Sequence, residues 1–343
     1  MTNTPRIGQD LVSFLSAHAP ADLAPVLGAL AKAALPVAHL IRRGRLGALG
    51  ETVDPTHHGF AQETRDVFAA AAVIHGLGGS GVRGISEQDD DPVAIDAEGT
   101  LLVTIAPLDG SANVDVNISA GVIFSVFDSS PGELKTADFL QAGVRQRAAG
   151  FIIYGPHVDF VFTAGAGVQI ATLDPDANAF RISRVDARIP PQSGEFAIDA
   201  SNSRRWPEPV RAYVEDCLEG DHGPRGRNFN MRWVGSMVAD VYRILARGGV
   251  YLYPEDSREG YANGGVGLLY QANPIAFLIE QAGGTAIDGF ARILEIVPRS
   301  VHMRTPLIFG SRDKVERIAR YYSDGGASAN SSPLFGKRGL LRR

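Results

Sequence analysis

The chain has 343 residues, of which 45% are hydrophobic and 21% are charged, and its formal net charge at pH 7 is −5. This composition is ordinary for a soluble globular protein, and the length suits one large or two medium domains. The slightly acidic balance gives no reason to expect a nucleic-acid partner. The single cysteine, Cys217, excludes an internal disulfide framework and a cysteine-based zinc site.

Targeting signals are not evident in the sequence. The N-terminal residues lack the apolar region of a secretory signal, and no apolar run reaches the roughly 18–20 residues that predict a membrane span. A single cysteine also fits a reducing compartment. We therefore predict a cytoplasmic protein without a membrane partner.

The N-terminal region is predicted to be helical. Residues 9–47 carry apolar residues at helical spacing, but Pro36 lies inside the pattern and is expected to break or kink the helix. Residues 48–62 are polar and contain glycine, which predicts a loop. Residues 66–75 again suit a helix.

The chain is organised around the stretch from Leu101 to Phe127. Its first five residues are apolar or β-branched, and they predict a buried strand that stops at Ala106-Pro107 because proline cannot donate to a ladder. Small and polar residues at 108–113 predict a turn. A second strand is predicted from Val116 onward.

Asp109 in this turn places a carboxylate at the end of a strand, beside backbone N–H groups. Such an arrangement can hold a hard cation and a phosphate together. The alternative interpretation is an ordinary turn between two core strands, and composition alone does not choose between the two.

Residues 108–113, LDGSAN, resemble the D-P-L-D-G-S-S-N metal and phosphate loop of class 1 fructose-1,6-bisphosphatases. Two further blocks follow in that family's order. RWVGS at 232–236 is similar to its R-[YW]-[VI]-[GA]-S block, and GGVYLYP at 248–254 is similar to its G-G-[VI]-[FY]-L-Y-P block. The related inositol phosphatases lack both blocks, so the resemblance is specific to the bisphosphatases.

The resemblance implies an α/β fold of layered α+β type, in which helices and sheets alternate in two halves. The implied division is residues 1–195 for a metal-binding and regulatory half, 196–330 for a sugar-phosphate-binding half, and 331–343 for a tail. The implied activity is hydrolysis of the 1-phosphate of fructose 1,6-bisphosphate, with Mg²⁺ as the metal and Mn²⁺ as the alternative. A homotetramer is the implied assembly.

The resemblance also implies a set of site residues. Glu87, Asp109 and Asp66 are the implied catalytic acids, and Glu87, Asp109 and the backbone carbonyl of Leu108 are the implied metal ligands. The implied substrate-binding residues lie in the turn or in the second half of the chain: Asp109, Gly110, Ser111, Ala112, Asp199, Asn202, Arg232 and Tyr253.

Arg232 and Tyr253 are the implied contacts to phosphate groups. In the family this arginine reaches into a neighbouring subunit's active site, and a guanidinium matches phosphate geometry. The tyrosine hydroxyl would donate to the sugar phosphate. A surface arginine before a helix and a core aromatic residue are the structural alternatives.

The sequence departs from the family at positions that carry charge or bind phosphate. The replaced acids are Gln88, Ala106 and Gln271, the replaced cations are Gly265 and Gly267, and Asp199 stands in place of an asparagine. A unit charge pair about 4 Å apart is worth on the order of 4 kcal/mol gross near a protein surface. We therefore expect metal and phosphate to bind much more weakly than in the family.

Two hypotheses follow. The first is a fructose-1,6-bisphosphatase of sugar metabolism with impaired turnover. The second is a non-catalytic paralogue that binds a sugar phosphate or pairs with an active homologue as a regulatory subunit. A related metal-dependent sugar or inositol phosphatase is a weaker third. The sequence does not distinguish fructose from sedoheptulose bisphosphate as the substrate.

Overall fold

Helices and β-sheets alternate in layers throughout the part of the chain that this computed structural model describes, residues 6–47, 58–87 and 91–323. The α-helices of this part are α1 (Leu11–His18), α2 (Leu23–Arg43), α3 (His58–Gly76), α4 (Glu208–Leu218), α5 (Met237–Arg247), α6 (Asn273–Gln281) and α7 (Arg312–Ser323).

The first sheet has eight strands in the order β2-β1-β3-β4-β5-β6-β7-β8. These are β1 (Val82–Glu87), β2 (Val93–Ala94), β3 (Leu101–Asp109), β4 (Ala120–Asp128), β5 (Ala148–Tyr154), β6 (Val158–Thr163), β7 (Gln169–Asp174) and β8 (Ala179–Arg184). In this sheet β1 and β3 pair in parallel, and the other neighbours are antiparallel.

The second sheet has five strands in the order β10-β9-β11-β15-β13, and β12 and β14 form a separate pair. These strands are β9 (Glu195–Ile198), β10 (Asn230–Met231), β11 (Val250–Tyr253), β12 (Val266–Gly267), β13 (Thr285–Ile287), β14 (Arg304–Thr305) and β15 (Leu307–Gly310). The change of sheet between β8 and β9 lies close to the predicted boundary at residue 195, which stays a prediction.

Alternating side chains supply both faces of each sheet with apolar residues. Phe124 in β4 faces a core shared with α1, α2 and α3. The preceding residue, Ile123, faces a second core formed with α5, α6 and Tyr251 of the second sheet. Ile308 on the far face of that sheet packs with α4 and α7. The expected layered α/β fold is therefore confirmed.

The sequence predicts a break or a kink at Pro36; the break is wrong, because Pro36 lies inside the continuous helix α2, and the kink stays a prediction. Val26, Leu27 and Leu30 of α2 are fully buried, and the helix packs against α3. This packing outweighs the missing backbone hydrogen bond.

By length and composition alone α2 could also cross a membrane, but the core helix of a soluble protein passes the same test.

The predicted end of the central strand is also wrong. β3 continues through Pro107 to Asp109, and the register against β4 shifts between Ala106 and Asp109. This irregularity accommodates the proline, because a bulge leaves a residue out of the ladder. The segment 111–116, part of it predicted as strand, is a short 3₁₀ helix, and β4 begins only at Ala120.

The loop predicted for residues 48–62 is wrong at its end, since α3 already begins at His58. Residues 48–57 lie outside the described part, so the prediction of a loop there stays a prediction. Residues 88–90, with the departure at Gln88, and the predicted tail at 331–343 also lie outside it.

We expect Phe124→Ala to lower the free energy of unfolding by about 3–5 kcal/mol. The side chain is fully buried in the first core, with its ring 5.7 Å from that of Phe160. Urea unfolding followed by circular dichroism measures the change. Val116→Ala, at a side chain 66% exposed, is the matched control and should change stability little. A small loss from Phe124→Ala would show that this position is not central to the core.

Candidate active site

The three predicted catalytic acids lie on three elements, the parallel strands β1 and β3 and the helix α3. Glu87 is the last residue of β1 and lies opposite Ile105 of β3, and Asp109 ends β3 four residues later. Asp66 of α3 accepts a hydrogen bond of 3.2 Å from the hydroxyl of Ser111. Ser111 therefore links Asp66 to the turn that follows Asp109, whereas Glu87 lies beside β3 at Ile105.

The carboxylate of Asp109 is bound to an amide. Gln271 Nε2 donates to Asp109 Oδ1 at 2.6 Å, and the backbone N–H of Gly267 donates to Gln271 Oε1 at 3.0 Å. Gln271 lies in a short π-helical turn, Leu268–Ala272, immediately before α6. The neutral Gln271 amide thus links the Asp109 carboxylate at the end of β3 to the turn before α6.

Burial raises the pKa of the Asp109 carboxyl to about 6. The hydrogen bonds from the Gln271 side chain and from the backbone N–H of Met237 lower it by less. Near neutral pH a fraction of this carboxyl is therefore protonated in the absence of a cation. A protonated carboxyl is a poor ligand for a hard cation.

The residues at this turn do not fit a family-type metal site. Within the described ranges, no group of three or more His, Cys, Asp or Glu side chains lies close enough to hold a metal ion. Ala106 is 4% exposed and belongs to the apolar core between the sheets. One oxygen of Asp109 is already taken by Gln271, although the Leu108 carbonyl and Glu87 remain nearby.

A polar cradle faces the turn from the start of α5. Gly110 has a left-handed backbone with φ of 74°, and Asn113 Nδ2 donates to the Gly235 carbonyl at 3.0 Å. The hydroxyl of Ser236 is buried and has no hydrogen-bond partner among the described residues. A Cβ on Gly110 would lie 3.8 Å from that hydroxyl. An unpaired donor beside a helix start suits an anion.

Arg232 lies on the segment that leads into this cradle. Its side chain is exposed, and its guanidinium forms no hydrogen bond or ion pair with the residues that the structure describes. Its backbone N–H donates to the Phe196 carbonyl at 2.8 Å, which extends the pairing of β10 with β9. The side chain is therefore available to a ligand or to a neighbouring subunit.

A buried ion-pair network holds this segment in place. Asp240 Oδ2 accepts from the backbone N–H of Val234 at 3.2 Å, and Asp240 Oδ1 accepts from Arg243 at 3.1 Å. Arg243 also pairs with Glu195 at 2.9 Å. Because all three charged groups are largely removed from solvent, their loss should displace the segment that carries Arg232.

A second, small pocket brings together the residues predicted to contact the sugar phosphate. Asp199, Asn202 and Tyr253 share its wall with Asp256 and Arg258. Asp199 accepts from the Ser201 backbone and hydroxyl at 3.0 and 2.6 Å, and from Asn202 Nδ2 at 2.6 Å. The Asp199 carboxylate is thus hydrogen-bonded by Ser201 and Asn202, its near neighbours in the chain.

Tyr253 keeps a protonated hydroxyl for donation. Burial, followed by the nearby Tyr261, raises the pKa of Tyr253 above its ordinary value, while Arg258 lowers it. The Trp233 ring stacks 6.4 Å from the Tyr253 ring. The position expected to carry a cation, Gly265, has no room for one, because a Cβ there would lie 2.7 Å from Tyr253 Cε1.

Arg258 is a cation of this pocket that sequence patterns did not single out. Its Nε donates to both oxygens of Asp256 at 3.0 and 2.8 Å, and its guanidinium lies 3.9 Å from the centre of the Tyr261 ring. The charged loop 255–261 was visible in the sequence, but only the fold brings it beside Tyr253. The sequence also did not indicate Ser236 as a binding residue, although it belongs to the RWVGS block that indicated Arg232.

Two further predicted substrate contacts, Ser111 and Ala112, follow Gly110 in the chain. Ser111 is buried and Ala112 is exposed on the short 3₁₀ helix after Gly110. Gly267 donates to Gln271 and lies against its side chain, so the second lost cation adjoins the Asp109 site. Ligand contacts for these residues stay predictions.

Comparison with known proteins gives a consistent result. The family model described as Fructose-1-6-bisphosphatase, N-terminal domain, matches residues 11–184, and its C-terminal counterpart matches residues 189–323. A class 1 fructose-1,6-bisphosphatase of Methylorubrum extorquens is 48% identical over 94% of this chain and 93% of the relative. That of Paracoccus denitrificans is 49% identical over 94% of this chain and 96% of the relative.

A solved structure is similar over the same extent. The crystal structure of Leishmania major fructose-1,6-bisphosphatase in holo form superposes with a TM-score of 0.83 at 28% identity. The match covers 94% of this chain and 100% of that one.

In metal-free protein we expect Asp109→Asn to be more stable than the natural chain above about pH 6, with the difference shrinking as the pH falls toward about 4. The folded pKa is raised to about 6 from the ordinary 3.8, so the charged carboxylate destabilises the fold above that pH. Below both values the carboxyl is protonated in the folded and unfolded states alike, and the penalty disappears.

Urea unfolding in EDTA at a series of pH values measures this difference. The exposed Asp176→Asn is the matched control and removes a charge from a surface turn. A stability difference for Asp109→Asn that does not change with pH would contradict the expected burial of the charge.

Proposed function

Because the chain belongs to the class 1 fructose-1,6-bisphosphatase family, we propose that it binds fructose 1,6-bisphosphate in this cleft and hydrolyses the 1-phosphate with strongly reduced turnover. Family membership over both halves of the chain supports the substrate. The observation that carries the reduced turnover is the 2.6 Å hydrogen bond between Gln271 and Asp109. It puts a neutral amide against the carboxylate that the reaction needs charged.

Metal binding is the step most affected. The family is metal-dependent, and Mg²⁺, with Mn²⁺ as the alternative, would polarise the phosphate and supply a nucleophile. Mg²⁺ needs near-octahedral oxygen ligation, and the described residues do not provide it. We propose a weakened site at Glu87, Asp109 and the Leu108 carbonyl.

The chain's own residues are proposed to bind and orient the substrate. The hydroxyl of Ser236 and the turn at Gly110 and Ser111 would hold the 1-phosphate, since a buried unpaired donor gains most from an anionic acceptor. Asp66, bound to Ser111, would steady that turn. Arg232 would clamp a phosphate, in its own subunit or in a neighbour's.

The distal phosphate is proposed to bind at the second pocket. Tyr253 would donate its hydroxyl and Arg258 would supply the cation that Gly265 lacks. Asp199 and Asp256 contribute two carboxylates against this one guanidinium, so the pocket attracts a phosphate weakly. Weak binding at this end adds to the reduced turnover.

A second candidate function is a non-catalytic binding or regulatory subunit. It is favoured by the same contact, because Asp109, Gln271 and Gly267 satisfy one another without a metal. Such a chain would join a homotetramer or a hetero-oligomer with an active homologue in the cytoplasm. A related sugar or inositol phosphatase is the remaining alternative.

We expect the natural chain to release phosphate slowly from fructose 1,6-bisphosphate, and the triple variant Gln88→Glu, Ala106→Asp, Gln271→Glu to be at least about tenfold faster. The three changes add carboxylates at the positions where the family resemblance implies acids, one of them at Gln271 against Asp109, and carboxylates favour a divalent cation. Phosphate release titrated with Mg²⁺ and Mn²⁺ measures the gain.

The matched control keeps the two glutamines and carries Ala106→Asn, which has the shape of aspartate without its charge. A natural chain that already turns over well at millimolar Mg²⁺ would contradict impairment. A triple variant that binds the metal and the bisphosphate but stays silent would favour the binding subunit.

We expect Arg258→Gln to weaken the binding of fructose 6-phosphate by about tenfold, because a charge-assisted contact to the phosphate is lost. Isothermal titration calorimetry measures the affinity. Arg204→Gln, an exposed arginine on the neighbouring 3₁₀ helix Ala200–Arg205, is the control. Equal losses in both variants would assign the effect to overall charge rather than to Arg258.

A further inference from the structure

A cavity of about 250 Å³ lies in the second half of the chain, and it is lined by cations. Arg225 and Arg227 come from the loop before β10, and Lys314 and Arg317 come from α7. Asp313 is the acid in its wall. Four positive side chains against one negative side chain give the cavity a net positive charge.

The cations are held close together by one aromatic ring. The guanidinium carbons of Arg225 and Arg227 lie 4.7 and 4.9 Å from the centre of the Phe229 ring, and Lys314 Nζ lies 4.6 Å from it. Arg225 also lies 5.1 Å from the centre of the Tyr213 ring. Contacts with ring faces favour each cation but neutralise none of them.

Lys314 is the most constrained of the group. It is 4% exposed, and burial, followed by repulsion from Arg225 and Arg227, lowers its pKa to about 8. Among the residues that the structure describes, none of the four cations forms an ion pair with a carboxylate, and Asp313 forms none either. A buried charge that lacks a counterion destabilises a fold. A ligand that supplies the missing negative charge would explain why lysine occupies this position.

The cavity is distinct from the candidate active site. Ser193, whose carbonyl accepts from Arg227, precedes β9, whereas Asp199 of the sugar pocket follows it. At about 3.3 Å per residue, the four residues of β9 put roughly 13 Å between the two pockets. A ligand in one pocket therefore leaves the other open.

We propose that this cavity binds a small phosphate-bearing anion with two or more negative charges. Guanidinium groups match the oxygens of a phosphate in pairs, and an ammonium group adds a compact point charge. The volume suits a small anion and is too little for a polymer chain. The proposal does not depend on hydrolysis at the candidate active site.

The test is titration calorimetry of the full chain with inorganic pyrophosphate. We expect Lys314→Met and Arg317→Gln each to weaken binding by about tenfold, because each removes one charge-assisted contact. Lys314→Met should also raise the midpoint of thermal unfolding, since methionine fills the same space without a buried charge. A lower affinity for pyrophosphate together with a higher unfolding temperature would show that Lys314 serves ligand binding rather than folding.

Arg320→Gln, an exposed arginine on the same helix, is the matched control and should leave both quantities unchanged. Arg232→Ala separates this cavity from the active site, and pyrophosphate binding should survive it. Any one of three results would overturn the proposal. These are no binding of pyrophosphate to the natural chain, a loss of affinity in Arg320→Gln equal to that in Lys314→Met, or a loss of affinity in Arg232→Ala with none in Lys314→Met.

Discussion

The hydrogen bond between Gln271 and Asp109 is the contact on which the proposed function of this protein depends. A carboxylate at the end of a buried strand needs a partner, and here the partner is an amide at 2.6 Å. The backbone N–H of Gly267 donates to the same amide, so these hydrogen bonds form without a cation. Where the family resemblance implies acids and a metal, this chain has a neutral amide hydrogen-bonded to the Asp109 carboxylate.

The layered fold keeps the candidate site apart from most of the packing that holds the chain together. Asp109 and Gln271 lie at the edge of the core between the two sheets, whose apolar residues do not rely on the site for packing. Ala106 belongs to that core and packs where an acid would have been desolvated. We therefore expect substitutions at Asp109 and Gln271 to affect ligand binding more than folding. The Ser236 hydroxyl and the Arg232 guanidinium, which have no partner among the residues that the structure describes, suit an anion.

The family resemblance predicted the fold class, and the run of apolar and β-branched residues that begins at Leu101 predicted the strand that became β3. Sequence patterns failed where tertiary packing overrode a local rule. Pro36 stays inside α2 because the buried face of that helix outweighs one missing hydrogen bond, and β3 passes Pro107 through a bulge. Asp109, Ser111 and Tyr253 were found as candidates because they lie within recognisable blocks. Arg258 and the cations around Phe229 were missed, because only the folded chain brings them together.

The central claim is that the natural chain lacks a competent metal site. Titration calorimetry of the purified protein with Mg²⁺ and with Mn²⁺, in the presence of fructose 6-phosphate and inorganic phosphate, tests it most directly. The Asp109–Gln271 contact predicts no saturable binding of either ion at millimolar concentration. Tight, stoichiometric binding of either ion would contradict the account, because it would require oxygen ligands beyond those that the described residues bring together.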